Sequence, residues 1–158
     1  MMQTCSRKAP RPILSRKQTG RGCIFMADRD AGLKCLEEFY RIFSAMNLEE
    51  MAGIWSQEPD TFCHHPGWSP CIGPAAVMAS WRNIMGQASQ FAITYEHLGD
   101  HFAGHILMTT GREHLAGSPH DIVTTNLLRL EENSWKIFHH HSSPIFAATP
   151  NSQKEMLN

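Results

Sequence analysis

The side chains best suited to chemistry in this sequence are its histidines, ten in 158 residues. His64 and His65 precede the turn sequence Pro66-Gly67-Trp68, and His139, His140 and His141 form an unbroken run. Side chains alternate along a strand, so Trp135, Ile137, His139, His141 and Ser143 would share one face. On that reading His139 and His141 stand about 7 Å apart along one pocket wall. A neutral imidazole near pH 7 donates, accepts or acts as a general base, which makes these two the candidate catalytic bases. The competing reading is structural: hydrogen-bonded histidines that tie the strand to the first helix and to the loop at His65–Trp68. His64 and His65 with His139 and His141 also invite a metal. However, no H-x-x-x-H helix and no matching acid accompanies them, so no metal site is expected.

Other polar groups would complete such a site. Ile122, Thr124, Asn126 and Leu128 fall on one strand face, with Asn126 either a ligand donor or a satisfied buried amide. Met108 and Thr110 share a face of the preceding strand and are assigned to the ligand wall. Tyr40 would be a second polarising donor, with Trp55, His65 and Trp68 as floor and mouth; Trp81 reads as core. Proton abstraction in an apolar pocket calls for a carboxylate of raised pKa. Asp60, Glu96, Glu113 and Asp121 are the nearby acids, and Asp60, beside the first strand, is preferred. There is no Ser-His-Asp arrangement, phosphate-binding glycine loop or dinucleotide fingerprint, so the site is expected to work without a cofactor.

These residues need elements to hold them. From Asp28, Leu33, Leu36, Phe39, Tyr40, Phe43 and Met46 recur at three- and four-residue steps, the stripe of an amphipathic helix. Asn47 with Glu50 has the form of a variant capping box and starts a short second helix. Thr61–His64 reads as a strand. Gly73-Pro74 opens a third helix, with Val77, Trp81, Ile84 and Met85 inward and Gly86 at its end. Four strands follow, from Phe91 to Leu98, His105 to His114, His120 to Leu130 and Trp135 to Ser142. Helices gathered ahead of an antiparallel sheet indicate an α+β domain with the helices on the concave face.

Composition bounds the rest. The chain is of single-domain length, 42% hydrophobic and 18% charged, with no run of apolar residues long enough for a membrane span. Residues 1–25 hold Arg7, Lys8, Arg11, Arg16, Lys17 and Arg21 and no acid, leaving 8 basic against 15 acidic residues beyond them. An acidic globular part argues against nucleic acid as a partner. The basic segment 1–25 reads as an over-extended gene start, a transit segment for organelle import or a disordered arm. Residues 26–148 read as the domain, and 149–158 as a flexible tail. Five cysteines without a C-x-x-C pair or a secretory signal indicate reduced thiols and a cytoplasmic location, although Cys63 and Cys71 flank one loop and could pair.

The run His65-Pro66-Gly67-Trp68, then Gly73, then Ser80-Trp81-Arg82-Asn83-Ile84, resembles the first half of SnoaL-like domains of the nuclear transport factor 2-like superfamily. Thr125-Asn126-Leu127-Leu128-Arg129-Leu130 and Trp135-Lys136-Ile137-Phe138-His139-His140-His141-Ser142-Ser143-Pro144 resemble its closing hairpin, a pattern similar to that of the calcium/calmodulin-dependent kinase II association domain. The resemblance implies a cone: a curved antiparallel sheet with three N-terminal helices enclosing a pocket, and a homodimer through the outer sheet face. It also implies that Asn126 stands where association domains carry a pocket arginine, which disfavours an acidic ligand. The superfamily includes isomerases, cyclases, dehydratases and non-catalytic assembly domains, so fold alone leaves function open. Two readings follow. One is a pocket for a small hydrophobic or polar organic ligand, either as a non-catalytic binder or as a cofactor-independent isomerase, cyclase or hydratase; the other is a dimerisation or assembly module whose pocket is vestigial.

Overall fold

The computed structural model describes residues 28–87 and 92–146. The expectations for segment 1–25, for Phe91 as a strand start and for the tail 149–158 fall outside the described residues.

The first helix, α1 (Arg29–Ala45), starts at Asp28, whose carboxylate accepts the Asp30 N–H. It ends at Met46 in the left-handed region (φ 55°), whose N–H reaches back to the Ile42 and Phe43 carbonyls. α2 (Leu48–Ile54) is capped by Asn47, whose side chain accepts the Glu50 N–H at 3.1 Å. The box is a variant: Glu50 takes its return bond from the Asn47 side-chain amide at 2.7 Å. α3 (Pro74–Gln87) begins on proline, as expected.

Of six strands, β1 (Phe62–His64) and β2 (Cys71–Ile72) lie between α2 and α3, and β3 (Ile93–Ala103), β4 (Ile106–Leu115), β5 (Ile122–Glu131) and β6 (Ser134–Pro144) follow α3. They form one curved, unclosed sheet in the order β2-β1-β6-β5-β4-β3. The sheet is mixed and not wholly antiparallel, because β1 lies parallel to β6, with Phe62, Cys63 and His64 opposite His139, His140 and His141. β2 escaped the sequence reading; two residues are too few to display a period. Cys63 and Cys71 are direct partners across β1 and β2, yet both thiols are free.

α1 and α3 bring Phe39, Phe43, Val77 and Trp81 down onto one face of this sheet, against Leu107, Leu128 and Ile137. Phe39 is the hub, with edge-on contacts to Tyr40, Trp55 and Trp81 at ring separations of 4.9, 6.4 and 5.6 Å. No helix among the described residues is long and apolar enough to cross a membrane.

Two bulges shape the sheet. In β3 the pairing with β4 slips at Leu98, and in β6 the pairing with β5 slips at Phe138: Leu128 faces Ile137, but Leu127 faces His139. Phe138 therefore has no opposite number, and the in–out alternation of β6 reverses there. Trp135 and Ile137 point inward before it, and His140 and Ser142 after it. Arg129 covers the bulge, its guanidinium 4.7 Å from the centre of the Phe138 ring.

Gly111 marks a close approach. A methyl group there would lie 2.1 Å from Cε2 of Tyr95, whose ring fills the space and stacks on Tyr40 at 4.3 Å. Gly111→Ala is expected to cost about 1–3 kcal/mol by overpacking. Gly53→Ala, where an added methyl meets nothing within 4 Å, should be neutral or stabilise by a few tenths. Chemical denaturation of both variants checks the contrast.

Candidate functional site

The bulge at Phe138 decides what faces the interior. His140, not His139 or His141, turns beneath the helices, and it is 2% exposed. In register with it across the sheet lie Asn126 on β5 and Thr109 on β4, both fully buried. The row is hydrogen-bonded in sequence. His140 Nδ1 pairs with Asn126 Oδ1 at 2.7 Å, and Asn126 Nδ2 donates to Thr109 Oγ1 at 3.4 Å. A carbonyl oxygen only accepts, so His140 carries its proton on Nδ1 and keeps a free lone pair on Nε2. Burial first, then the nearby His65, His139 and His141, hold its pKa down to about 3, so the ring is neutral.

Glu113 approaches from the same face of β4. It is 3% exposed, and among the described residues its side-chain hydrogen bond comes from the Tyr40 hydroxyl at 2.8 Å. Burial pushes its carboxyl up to about 7, against the opposing effect of the Tyr40 bond. Tyr40 is itself pushed well above its ordinary range by burial and by Glu113, so it remains a neutral donor.

Glu113 and His140 both line a cavity of about 150 Å³, walled by Phe43, Trp81, Ile84, Leu115 and Ile122 and reached past His65, Pro66 and Trp68. An apolar cavity of this size holds a benzene-sized molecule. His65 Nε2 lies 2.8 Å from Ser80 Oγ, and the Ser80 hydroxyl is placed to donate to the Val77 carbonyl at 2.7 Å. With that one proton spent, His65 must donate through Nε2. Burial lowers its pKa to about 4. Trp81 Nε1 is buried without a partner among the described residues, an unspent donor on a residue of the cavity wall.

Several expected site residues lie elsewhere. His139 and His141 are on the outer face of the sheet, because the bulge at Phe138 inverts the regular alternation that would put them inside. Met108 and Thr110 are also on the outer face; it is their neighbours Thr109, Gly111 and Glu113 that turn inward. Asp60 is exposed and held by Arg129 in a two-pronged pair at 2.8 and 3.1 Å, which keeps its carboxyl below the usual range. Trp55 is sealed in the core at 1% exposure and does not line the cavity. His65 and Trp68 do reach the cavity, and Trp68 is 44% exposed at its rim. Tyr40 and Asn126 sit one layer back, positioning Glu113 and His140. Trp81, read as core, is a cavity wall as well.

Of the polar residues at the cavity, Glu113 is among the acids the sequence reading passes over for Asp60, and His140 is not singled out there. Glu113 shares the β4 face of Leu107 and Leu115, two leucines that point to the buried side of the strand. No comparable signal marked His140, because the bulge has no sequence signature of glycine or proline.

A family model for the SnoaL-like domain matches residues 33–148. The chain belongs to that family. Among solved structures, this SnoaL-like domain is similar to a Thiobacillus denitrificans protein provisionally described as a calcium/calmodulin-dependent protein kinase type II association domain. The two are 28% identical with a TM-score of 0.67, over 71% of this chain and 93% of the other. A provisional dehydratase of the NTF2-like family from Streptomyces avermitilis superposes with a TM-score of 0.69 at 24% identity, over 76% and 97% of the chains. A ketosteroid isomerase-like protein from Erwinia carotovora atroseptica does so at 0.63 and 13% identity, over 75% and 97%. The last two establish the NTF2-like fold alone. No curated protein matches the chain.

The raised carboxyl has a consequence for stability. Glu113 ionises near 4.5 when solvated and near 7 in the folded SnoaL-like domain, so the native state holds the extra proton between those values. The stability this gives is complete below about pH 4.5 and is lost as pH rises through about 7. Glu113→Gln removes the dependence. Relative to the wild type it should be more stable at pH 8, by up to about 3 kcal/mol, and nearly equal at pH 4.5. Urea melts of both proteins at the two pH values test this, and an unchanged difference would contradict a buried, proton-bearing Glu113.

Proposed function

We propose that the cavity is an acid–base site for a small, largely apolar organic ligand carrying a carbonyl group, and that Glu113 is the proton-transferring residue. The observation behind this reading is the Glu113 carboxyl: buried, at a cavity wall, held by Tyr40 and poised near neutral pH. A group whose pKa lies near the working pH is both a usable base and a usable acid. As carboxylate, Glu113 takes a proton from the carbon next to the ligand carbonyl. The electron pair moves onto the carbonyl oxygen, and the same carboxyl returns the proton at that or a conjugated carbon. The sum is an isomerisation; where the ligand carries a β-hydroxyl, the enolate instead collapses with loss of that hydroxyl, which takes the proton from Glu113 and leaves as water, an elimination. Trp81 Nε1 is the spare donor for the ligand oxygen, and His140 Nε2 accepts from a ligand hydroxyl. His140, with its pKa near 3, is too weak a base to replace Glu113 near neutral pH.

The membership of isomerase-like and dehydratase proteins in the same fold group is compatible with this chemistry and does not select it. The direct experiment is exchange in D₂O. Small cyclic ketones and β-hydroxy ketones are incubated with the protein, and loss of the α-proton signal is followed by NMR. Exchange catalysed by the wild type should rise with pH to a plateau above about 7, and should fall at least about 100-fold in Glu113→Gln. Tyr40→Phe removes the bond that favours the carboxylate and should move the midpoint upward. Catalysis that survives in Glu113→Gln would sink the assignment.

A second reading concerns assembly. The outer sheet face carries Met108 at 42% and Val123 at 41% exposure, large apolar side chains left open among the described residues. That pattern supports a homodimer through this face. Met108→Glu with Val123→Glu should convert a dimer to monomer in light scattering while leaving the cavity intact. A wild type that is already monomeric excludes the reading.

A further inference from the structure

β2 is an edge of the sheet and pairs with β1 at two positions, Phe62 with Ile72 and Cys63 with Cys71. The Gly73 N–H donates to the Thr61 carbonyl at 2.7 Å. Two positions further on, the alternation of an antiparallel ladder makes Cys63 and Cys71 a hydrogen-bonded pair, whose Cα atoms stand about 5.5 Å apart. That spacing is among the commonest across a disulfide. Directly opposed residues present their side chains to one face, and both cysteines pack on the same core cluster. Both thiols are free, with Cys71 Sγ turned to the Ser69 carbonyl at 3.9 Å.

The two sulfurs differ in access. Cys63 is fully buried, and burial first, then Cys71, pushes its thiol well up, so it is a poor starting nucleophile. Cys71 is half-buried on the edge strand. Between them runs the segment His64 to Pro70, which carries His65, Pro66 and Trp68 of the cavity rim. Cys63 Sγ also lies 3.5 Å from His65 Nε2, so a change at that sulfur is felt at the rim.

We propose that Cys63 and Cys71 are a thiol–disulfide exchange site for small disulfides of the glutathione type, closing to a reversible intrachain bond that fixes the cavity rim. Cys71 reacts first. Its thiolate attacks one sulfur of the small disulfide, a mixed disulfide forms on Cys71, and the departing thiolate takes up the proton that Cys71 lost. Cys63, deprotonated as the edge strand opens, then attacks the Cys71 sulfur. The Cys63–Cys71 bond forms, and the second small thiolate leaves and takes up that proton. In sum the two cysteines lose two electrons and two protons, and the small disulfide becomes two thiols. A bond at an exposed sheet edge is of the labile kind, reopened by excess thiol. None of these steps draws on the acid–base chemistry of Glu113.

The test is made on the whole chain at pH 7.5 with excess glutathione disulfide. The reaction is stopped in acid, the chain is unfolded and alkylated, and chymotrypsin, which cuts at Trp68, separates the two cysteines for mass spectrometry. Two peptides joined through Cys63 and Cys71 are expected, and prior treatment with a dithiol should return both as alkylated thiols. Cys35, which is mostly buried and donates to the Trp135 carbonyl, should stay a thiol throughout. Cys63→Ala should halt at the mixed disulfide on Cys71. Cys71→Ala should leave Cys63 at least about tenfold slower to react than Cys71 is in the wild type. Hydrogen exchange in segment 64–70 should slow at least about tenfold in the oxidised chain. Circular dichroism checks that the variants fold, and the wild-type peptide map decides by itself if Cys63→Ala does not. A wild type that stops at the mixed disulfide overturns the proposal, as does one that keeps both thiols or pairs either cysteine with Cys5, Cys23 or Cys35. Unchanged exchange in segment 64–70 of a linked chain overturns the fixing of the rim.

Discussion

One unpaired residue, Phe138, fixes the side on which each of three consecutive histidines falls. A strand without it would bury His139 and His141 and expose His140. With it, β6 turns half a period, and a single imidazole enters the core while two stay out. The bulge is held from outside. Arg129 lies over the Phe138 ring and is anchored by Asp60, Glu131 and Ser56. The guanidinium is thus fixed by three groups from two segments, and a stacked, multiply bonded arginine has no equivalent in lysine. Asp60, far from being idle, contributes to the site by helping to hold this clamp.

What the bulge delivers to the interior is chemically consistent. A low-polarity cavity disfavours charge of either sign, so it raises the Glu113 carboxyl and lowers the His65 and His140 imidazoles. Protonated carboxyl and neutral imidazoles coexist there, and no buried ion pair has to be desolvated. The polar atoms are then satisfied in short chains, Tyr40 to Glu113 and His140 to Asn126 to Thr109. These chains fix orientation: they determine which nitrogen of His140 bears the proton and which oxygen of Glu113 is engaged. Trp81 Nε1, the Tyr95 hydroxyl and Thr124 Oγ1 stand outside these chains, buried with no partner among the described residues.

Most of the architecture was legible in the sequence, because periodicity reports on burial along each element. The stripe from Leu33 to Met46, the Asn47 cap, the proline at the start of α3 and the strands β4 to β6 appear where the patterns put them, while β3 runs on to Ala103, past the end expected for it at Leu98. The helix–sheet order and the closing Trp-x-Ile hairpin carried the family resemblance, and the model match over residues 33–148 agrees with it. The site was read less well, since a site depends on which face each strand presents. Period two is exact only while pairing is regular, and one unpaired residue inverts everything after it. The same difficulty of phase placed Met108 and Thr110 inside and left Glu113 among the acids passed over for Asp60. His65 and Trp68 lie at the cavity, and Tyr40 and Asn126 one layer behind it, because their positions do not depend on the count through Phe138. The parallel contact of β1 with β6 was invisible, as a three-residue strand carries no sign of its partner.

That parallel contact also orders events as the chain folds. β3 to β6 form a meander of adjacent hairpins, each closed over a short loop. β1 must instead find β6 across most of the domain: the Ser142 hydroxyl meets the His64 carbonyl 78 residues away in sequence. Contacts of long separation carry a loop-closure penalty that local ones avoid, and they slow folding accordingly. His65 and the rim of the cavity travel with β1. The mouth of the pocket is therefore assembled by the most distant pairing in the sheet, and a polypeptide interrupted before β6 would have helices and hairpins but no edge on which to hang its entrance.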